Sequence, residues 1–432
     1  MNPNYLKEIN KIEGPVDLTA RVPASKSLLA RAMVMAALSN GKCVFENVVL
    51  CDDTETMFNA LRDLGFSVSY NQGSRSLRVR GESGRVPATN APIYVGSAGT
   101  AARFLVALLG LTDGTHLVNA SSQMEARPMK PLFDALTLLG AKVEYLKEEG
   151  HLPVKITGKS LSPESVISLE ISVSESTQYA SGILMVLGCL PNRSIVKLTD
   201  KNRDSYIKMT ASMMKRFGRE AIAVGDEYVL NQAEDWKGYI AGEYSVEPDV
   251  SGASYFYAIP LLTGGKASVP GVNELTLQGD YRFIELLALL GANVYSENGA
   301  TCVEAEKTLE PESEYSFDFS AFSDQVATMA VIGAVRNKVT KITNIGHIRK
   351  QESDRIAVIC ENLEKCGIHC EATEDSLTVY GGKPHKAVID PHNDHRIAMA
   401  FSLLGLVTEG IKITNPQCVE KTFRGFFDEL PD

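Results

Sequence analysis

The sequence predicts an α/β fold of two domains, each built from three β-α-β-α-β-β repeats whose helices are buried and covered by sheets. Three observations predict it. A helix-then-glycine segment recurs along the chain, an almost wholly apolar helix recurs between its copies, and the length of 432 residues is six times 72.

The first segment is a helical pattern that ends in Gly and runs into a strand pattern. Its copies are ALRDLG-FSVSY, ALTLLG-AKVEY, MMKRFG-REAIAV, LLALLG-ANVYS and LEKCG-IHCEA. The glycines, Gly65, Gly140, Gly218, Gly291 and Gly367, lie 75, 78, 73 and 76 residues apart. A Gly just past the last apolar turn is the usual helix stop, because the chain needs positive φ there.

The second segment opens with a small polar turn and then becomes apolar nearly all round. Its copies start at Ser25, Ser97, Ser176, Ser251, Ser323 and Asn393, spaced by 72, 79, 75, 72 and 70 residues. A helix without a polar face is a buried helix. Strand-like runs such as DLTARVP, PIYVG and LEISVS precede most copies, and CVFENV or KITNI follow. The sixth copy ends at FRGFFDELPD without closing strands, so the N-terminal residues are expected to supply them. Three repeats per domain place residues 1–22 with 245–432 in one domain and 23–244 in the other. The active site is then expected in the cleft between them.

Composition narrows the function. The chain is 44% apolar and 22% charged, ordinary for a soluble globular protein. Its most apolar uncharged stretch, Tyr179 to Pro191, is shorter than the ~20 residues of a membrane span. The opening MNPNYLKEINKIEG has no apolar core for a secretory signal. Eight cysteines stand singly at 43, 51, 189, 302, 360, 366, 370 and 418, without a CxxC pair. They read as reduced thiols in the cytoplasm. The run Cys366-Gly-Ile-His369-Cys370 reads as a helix end entering a strand rather than as a metal site. Net charge is 43 − 53 = −10, so no global nucleic-acid surface is expected. Any anion must bind in a locally cationic pocket.

The openings of the apolar helices offer such a place. Ser, Thr and Asn there are ordinary N-caps. The cations beside them are not required for capping: Lys26 and Arg31 in the first helix and Arg396 in the sixth, with Arg127, Arg355 and Lys421 in loops. A helix dipole disfavours cations at its N-terminus, so several of them point to a strongly anionic ligand. Acids accompany them: Asp52, Asp53, Asp280, Asp324, Glu352 and Asp354.

These residues carry a resemblance. Pro23-Ala-Ser-Lys26-Ser27-x3-Arg31, Ser97-Ala-Gly99-Thr100-x2-Arg103, Ala126-Arg127-Pro128, Gln278-Gly-Asp280, Glu352-Ser-Asp-Arg355, Asn393-Asp-His-Arg396 and Lys421-Thr-Phe occur in order from about residue 12 to the C-terminus. Together they resemble the EPSP synthase family, the 3-phosphoshikimate 1-carboxyvinyltransferases, whose enolpyruvyl transferase-like fold has the same repeat. The resemblance implies transfer of the enolpyruvyl group of phosphoenolpyruvate to the 5-hydroxyl of shikimate 3-phosphate, in aromatic amino acid biosynthesis. It implies that Lys26, Ser27, Arg31, Ser176, Thr177, Gln178, Arg203, Tyr206, Asp324 and Gln351 face shikimate 3-phosphate. Lys26, Gly99, Arg127, Gln178, Arg355, Arg396 and Lys421 are to hold phosphoenolpyruvate. Asp324 is the expected base and Glu352 the expected acid, which later reverses its role. No cofactor and no metal are implied. The partners are the two small-molecule substrates, with no nucleic acid or membrane, and the chain is expected to be a monomer. Glyphosate is expected at the phosphoenolpyruvate position, where Gly99 leaves room.

The chain departs from the family pattern at five places. Gln351 stands where the family has Lys, with Lys350 one place earlier. Thr177 replaces a Ser, and Arg203 replaces another, with Ser205 close by. Ser97 replaces Asn, and Phe104 replaces Pro. Two alternatives follow: a shikimate 3-phosphate-binding relic without turnover, and the related UDP-N-acetylglucosamine enolpyruvyl transferase. The latter family has a reactive Cys where this chain has Ser122.

Overall fold

Six sheets, each fed by one buried helix, make up the computed structural model, which describes residues 5–162, 165–199, 204–306 and 313–431. The chain divides into two compact units, residues 1–23 with 247–432, and residues 24–246.

Five sheets have four strands, and all five share one order. A first strand runs parallel to a second, and an antiparallel hairpin follows. In Ile167–Ser172, Ser194–Thr199, Glu227–Leu230 and Ile222–Val224, for example, Ile167 pairs with Ser194 and Ser194 with Leu230. In three of these sheets the buried helix crosses from first to second strand, and in all five the amphipathic helix leads from second to third. This is the β-α-β-α-β-β unit of the sequence period.

The sixth sheet has three strands, Val388–Ile389, Lys412–Thr414 and Leu6–Glu8. Leu6–Glu8 takes the antiparallel place that the truncated sixth repeat leaves open.

The run DLTARVP forms the strand Val16–Thr19, which pairs with Gly265–Pro270. The parallel place beside Lys42–Glu46 is taken instead by Glu243–Ser245, 200 residues downstream. The strands before the first and fourth buried helices are thus exchanged between units. A strand's own residues do not encode which sheet edge it joins, because parallel pairing requires no local turn.

The helix stops behave as their chemistry requires. Gly65, Gly140, Gly218, Gly291 and Gly367 all have φ between 78° and 100°. At the first, the Gly65 and Phe66 amides bond back to the Arg62 and Leu61 carbonyls. Along Lys26–Leu38 every residue from Leu28 on is buried, and along Val250–Thr263 every residue is. The three buried helices of each unit pack against one another.

The caps differ from expectation. Ser25 accepts from the Leu28 amide, as an N-cap should. At the other helices the cap is Ala98, Thr177, Asp249, Gln325 or Asp394. Ser251 donates instead to the Asp280 carboxylate, and Ser323 bonds the His347 ring. Ser251 and Ser323 therefore serve contacts other than capping.

Candidate active site

In residues 24–246 the expected residues gather at the openings of the buried helices. Lys26 is the first residue of its helix, and its Nζ lies 3.1 Å from Asp53 Oδ2. Asp53 sits in the first turn of Asp52–Asp63, where the dipole favours an acid. The cation that the sequence left awaiting a ligand thus has an internal counter-ion.

Arg31, one turn on, is 1% exposed. Its guanidinium donates to Thr210 Oγ1 at 2.8 Å, the Ser27 carbonyl at 2.9 Å, the Tyr206 carbonyl at 3.2 Å and Ser181 Oγ at 3.5 Å. It also lies over the Phe104 and Tyr206 rings. Among the described residues no carboxylate pairs with it. Burial lowers it to about 10. An uncompensated buried guanidinium is costly to the fold and well suited to a dianionic phosphate. Ser181 on the apolar helix Gln178–Cys189 and Thr210 on the amphipathic helix Ser205–Arg216, which hold it, carry no sequence signal of their own.

Ser176 Oγ accepts from the Gln178 amide, and Gln178 Nε2 donates to Thr100 Oγ1 at 3.0 Å. Gln178 Oε1 is buried and receives no hydrogen bond in this structure. A buried acceptor left open costs about 1–3 kcal/mol unless a ligand donor meets it.

Gly99 opens the next helix beneath two guanidiniums. A Cβ there would stand 2.5 Å from Arg103 Nη1 and 2.8 Å from Arg127 Nη1. Arg103 is anchored by the Gly99 and Pro128 carbonyls and by the Tyr179 ring. Arg127 follows the short helix Ser122–Glu125 and is half-buried. Arg203 lies outside the described residues.

In residues 247–432 the expected residues form one charge network centred on Arg355. This arginine opens the helix Arg355–Lys365, capped by Asp354. Arg349 fixes that cap with two bonds to Asp354, at 2.8 and 2.7 Å. Arg355 donates through Nε to Asp394 Oδ2 at 2.8 Å and through Nη1 to Asp324 Oδ1 at 3.0 Å. Its Nη2 reaches Glu352 Oε2 at 2.9 Å. Gln351 Oε1 accepts from Nη1 as well. Burial works against this charge, but the Asp394, Glu352 and Asp324 carboxylates outweigh it and hold the guanidinium well above its ordinary range.

Arg396 donates to Asp324 Oδ2 at 2.7 Å, so Asp324 is bridged by two arginines. Lys421 is buried, with its Nζ 4.0 Å from Glu352 Oε1. Asp324 also faces the buried Asp280, whose carboxyl is pushed up by burial and then by the Asp324 charge.

In this unit each of Arg355, Arg396 and Lys421 has a carboxylate within 4.0 Å. The arrangement stores its cations on its own acids, which a stronger anion can displace. Asp394 lies inside the Asn393–Arg396 motif without a role of its own there, and His347 lies outside every motif. Asp394 reads as a helix cap, and His347 reaches Ser323 Oγ at 2.7 Å only through tertiary folding. Among the described residues no three acidic, His or Cys side chains group as a metal site. No helix there is long and apolar enough to cross a membrane.

Comparison with known proteins gives a consistent result. The family profile of EPSP synthase (3-phosphoshikimate 1-carboxyvinyltransferase) matches residues 7–430. The 3-phosphoshikimate 1-carboxyvinyltransferase of Nostoc punctiforme is 33% identical over 421 residues, covering 97% of each chain. That of Methanoculleus marisnigri is 35% identical over 420 residues, covering 96% of this chain and 97% of its own. The solved EPSP synthase of Acinetobacter baumannii matches with a TM-score of 0.79 at 24% identity, over 98% of this chain and 97% of that one. At that identity the structural likeness concerns the fold.

Proposed function

The chain belongs to the EPSP synthase family, the 3-phosphoshikimate 1-carboxyvinyltransferases, and on that premise we propose how its residues divide the work. The reaction moves the enolpyruvyl group of phosphoenolpyruvate to the 5-hydroxyl of shikimate 3-phosphate and releases phosphate. It is a step of the shikimate pathway to aromatic amino acids.

Shikimate 3-phosphate is bound by Ser27, Arg31, Ser176, Thr177, Gln178 and Tyr206, with Lys26 shared by both substrates. Phosphoenolpyruvate is held by Arg127, Arg355, Arg396 and Lys421. Planar guanidinium forks suit its phosphate and carboxylate, each of which offers two oxygens. In this reading the enzyme works as a cytosolic monomer on soluble anions.

Asp324 takes the 5-hydroxyl proton as that oxygen attacks the enol carbon. Glu352 delivers a proton to the methylene, and a tetrahedral ketal forms. Glu352 then takes the methyl proton back as phosphate leaves. The observation that supports these roles is the double bridging of Asp324 by Arg355 and Arg396. With both guanidiniums on Asp324, its oxygens are engaged as acceptors. A donor anion that recruits the arginines frees an Asp324 oxygen for the hydroxyl proton. The same exchange takes Arg355 and Lys421 away from Glu352, which favours its protonated form. Substrate binding thus prepares acid and base together.

Steady-state phosphate release with both substrates tests the reading. Turnover that requires both substrates is the expected result. Tight shikimate 3-phosphate binding without phosphate release would establish instead a binding relic, the alternative that Gln351 suggests.

A further inference from the structure

Two of the eight cysteines meet outside the charge network. The Sγ atoms of Cys360 and Cys370 lie 2.8 Å apart. Cys360 is on Arg355–Lys365, five residues beyond Arg355, and Cys370 opens the edge strand Cys370–Ala372. Gly367, at φ 78°, turns the chain back so that this strand runs beside the helix. Seven of the eight cysteines are buried, and Cys360 alone is partly exposed.

The surroundings favour thiol chemistry over metal binding. His369, the metal-like member of the Cys366–Cys370 run, is engaged by Glu364 and Glu371 and stacks on Tyr380. The Cys370 thiol, as donor to the Cys360 sulfur, lowers the Cys360 thiol from its ordinary value, against the effect of burial. Arg349 favours the Cys360 thiolate, while Glu364 and Asp354 oppose it. Cys370 is raised correspondingly.

We propose that Cys360 and Cys370 are a redox-sensitive pair that a hydroperoxide converts into an intramolecular disulfide tying the helix that begins at Arg355 to its neighbouring edge strand. The Cys360 thiolate attacks the outer peroxide oxygen. The O–O bond breaks, an alcohol or water leaves, and Cys360 becomes a sulfenic acid. The Cys370 thiol then attacks the Cys360 sulfur, and water leaves with the sulfenic oxygen. Two thiols lose two electrons and two protons in total, and one hydroperoxide is reduced to one alcohol and one water. The sulfurs need only close to the ~2.05 Å of a disulfide. Reduction by a dithiol reverses the change.

The test uses the folded full-length protein. After reduction, brief exposure to hydrogen peroxide and unfolding in a thiol-blocking reagent, free thiols are expected to fall from eight to six, with eight restored by dithiothreitol. Tryptic mapping should join the peptide of Cys360 to that of Cys370, with a mass lower by two hydrogens. Cys366 shares a tryptic peptide with Cys370, so fragment spectra assign the bridge. Cys360→Ser is expected to keep all its remaining thiols, whereas Cys370→Ser, without the resolving thiol, is expected to stop at a Cys360 sulfenic acid and form no bridge. Retention of eight thiols, a bridge to Cys366, or over-oxidation of Cys360 without a bridge would overturn the proposal. The wild-type map decides alone if a variant misfolds.

Discussion

Arg355 and Asp394 are joined at two points, Nε to Oδ2 at 2.8 Å and Nη2 to Oδ1 at 3.3 Å, with both side chains buried. Asp394 also caps its own helix through the Arg396 amide and accepts from Ser353 Oγ. One buried carboxylate therefore fixes the start of a helix, a loop residue next to Glu352 and the arginine at the centre of the network.

Arg355→Lys should not behave as a conservative change. An ammonium cannot span Asp394, Asp324 and Glu352 with a planar fork. The expected outcome is a Michaelis constant for phosphoenolpyruvate raised at least about tenfold, and a loss of stability smaller than the ~3–5 kcal/mol of removing the charge outright. Denaturant unfolding alongside kinetics checks both. Wild-type values for both would remove Arg355 from the donor site.

Asp324→Asn and Glu352→Gln keep size and lose the proton-transfer group. Each is expected to lower kcat by about 10²–10⁴, the usual contribution of general acid–base catalysis. Binding of shikimate 3-phosphate, followed by calorimetry, should persist in Glu352→Gln. A kcat within a few-fold of wild type in either variant would reassign that role.

At Gly99 the structure changes the expected reason for sensitivity to an added methyl. A Cβ there meets the Arg103 and Arg127 guanidiniums rather than open space. Both contacts are closer than a Cβ tolerates, so both guanidiniums must shift, Arg103 against its Gly99 and Pro128 carbonyl anchors. Gly99→Ala is therefore expected to weaken inhibition by glyphosate and to raise the phosphoenolpyruvate Michaelis constant as well. An unchanged Michaelis constant with weakened inhibition would favour simple exclusion of the larger ligand by the methyl.

Gln351 places its carbonyl oxygen on Arg355, where an ammonium would be repelled. Gln351→Ala is expected to cost more catalytic efficiency than Lys350→Ala, because it removes an acceptor that holds Arg355. The reverse order in kcat/KM would show that Lys350 supplies the family's missing cation.

Asp280 gives a pH signature. Its carboxyl is raised in the fold by burial and by Asp324, so the folded state binds its proton more tightly than the unfolded chain does. Stability then falls as pH rises from the ordinary carboxylate value through the raised one. Asp280→Asn keeps an oxygen for the Ser251 and Gln325 donors. The variant should gain stability relative to wild type as pH rises from 4 towards 7. A pH-independent difference in unfolding free energy would count against a raised Asp280.

Periodicity alone made the repeat legible. A glycine forced to positive φ and a helix with no polar face are local necessities, and both recur in the sequence wherever the structure has them. The cationic motifs were legible for the same reason, since Lys26, Arg31 and Arg396 stand where a helix dipole does not favour them. Tertiary structure decided what each local signal meets. Val16–Thr19 and Glu243–Ser245 look like ordinary strands, and parallel pairing across long sequence separations decided which strand each joins. Ser251 and Ser323 look like caps, yet their hydroxyls turn to Asp280 and His347. The neutralisation of Lys26 by Asp53, and of Arg355 by Asp394, Glu352 and Asp324, is likewise set in three dimensions. Except for the short Glu352–Arg355 spacing, these partners are 27 to 39 residues apart. The contact of Cys360 with Cys370 belongs to the same class. Chain order shows two single thiols, and the turn at Gly367 brings their sulfurs together.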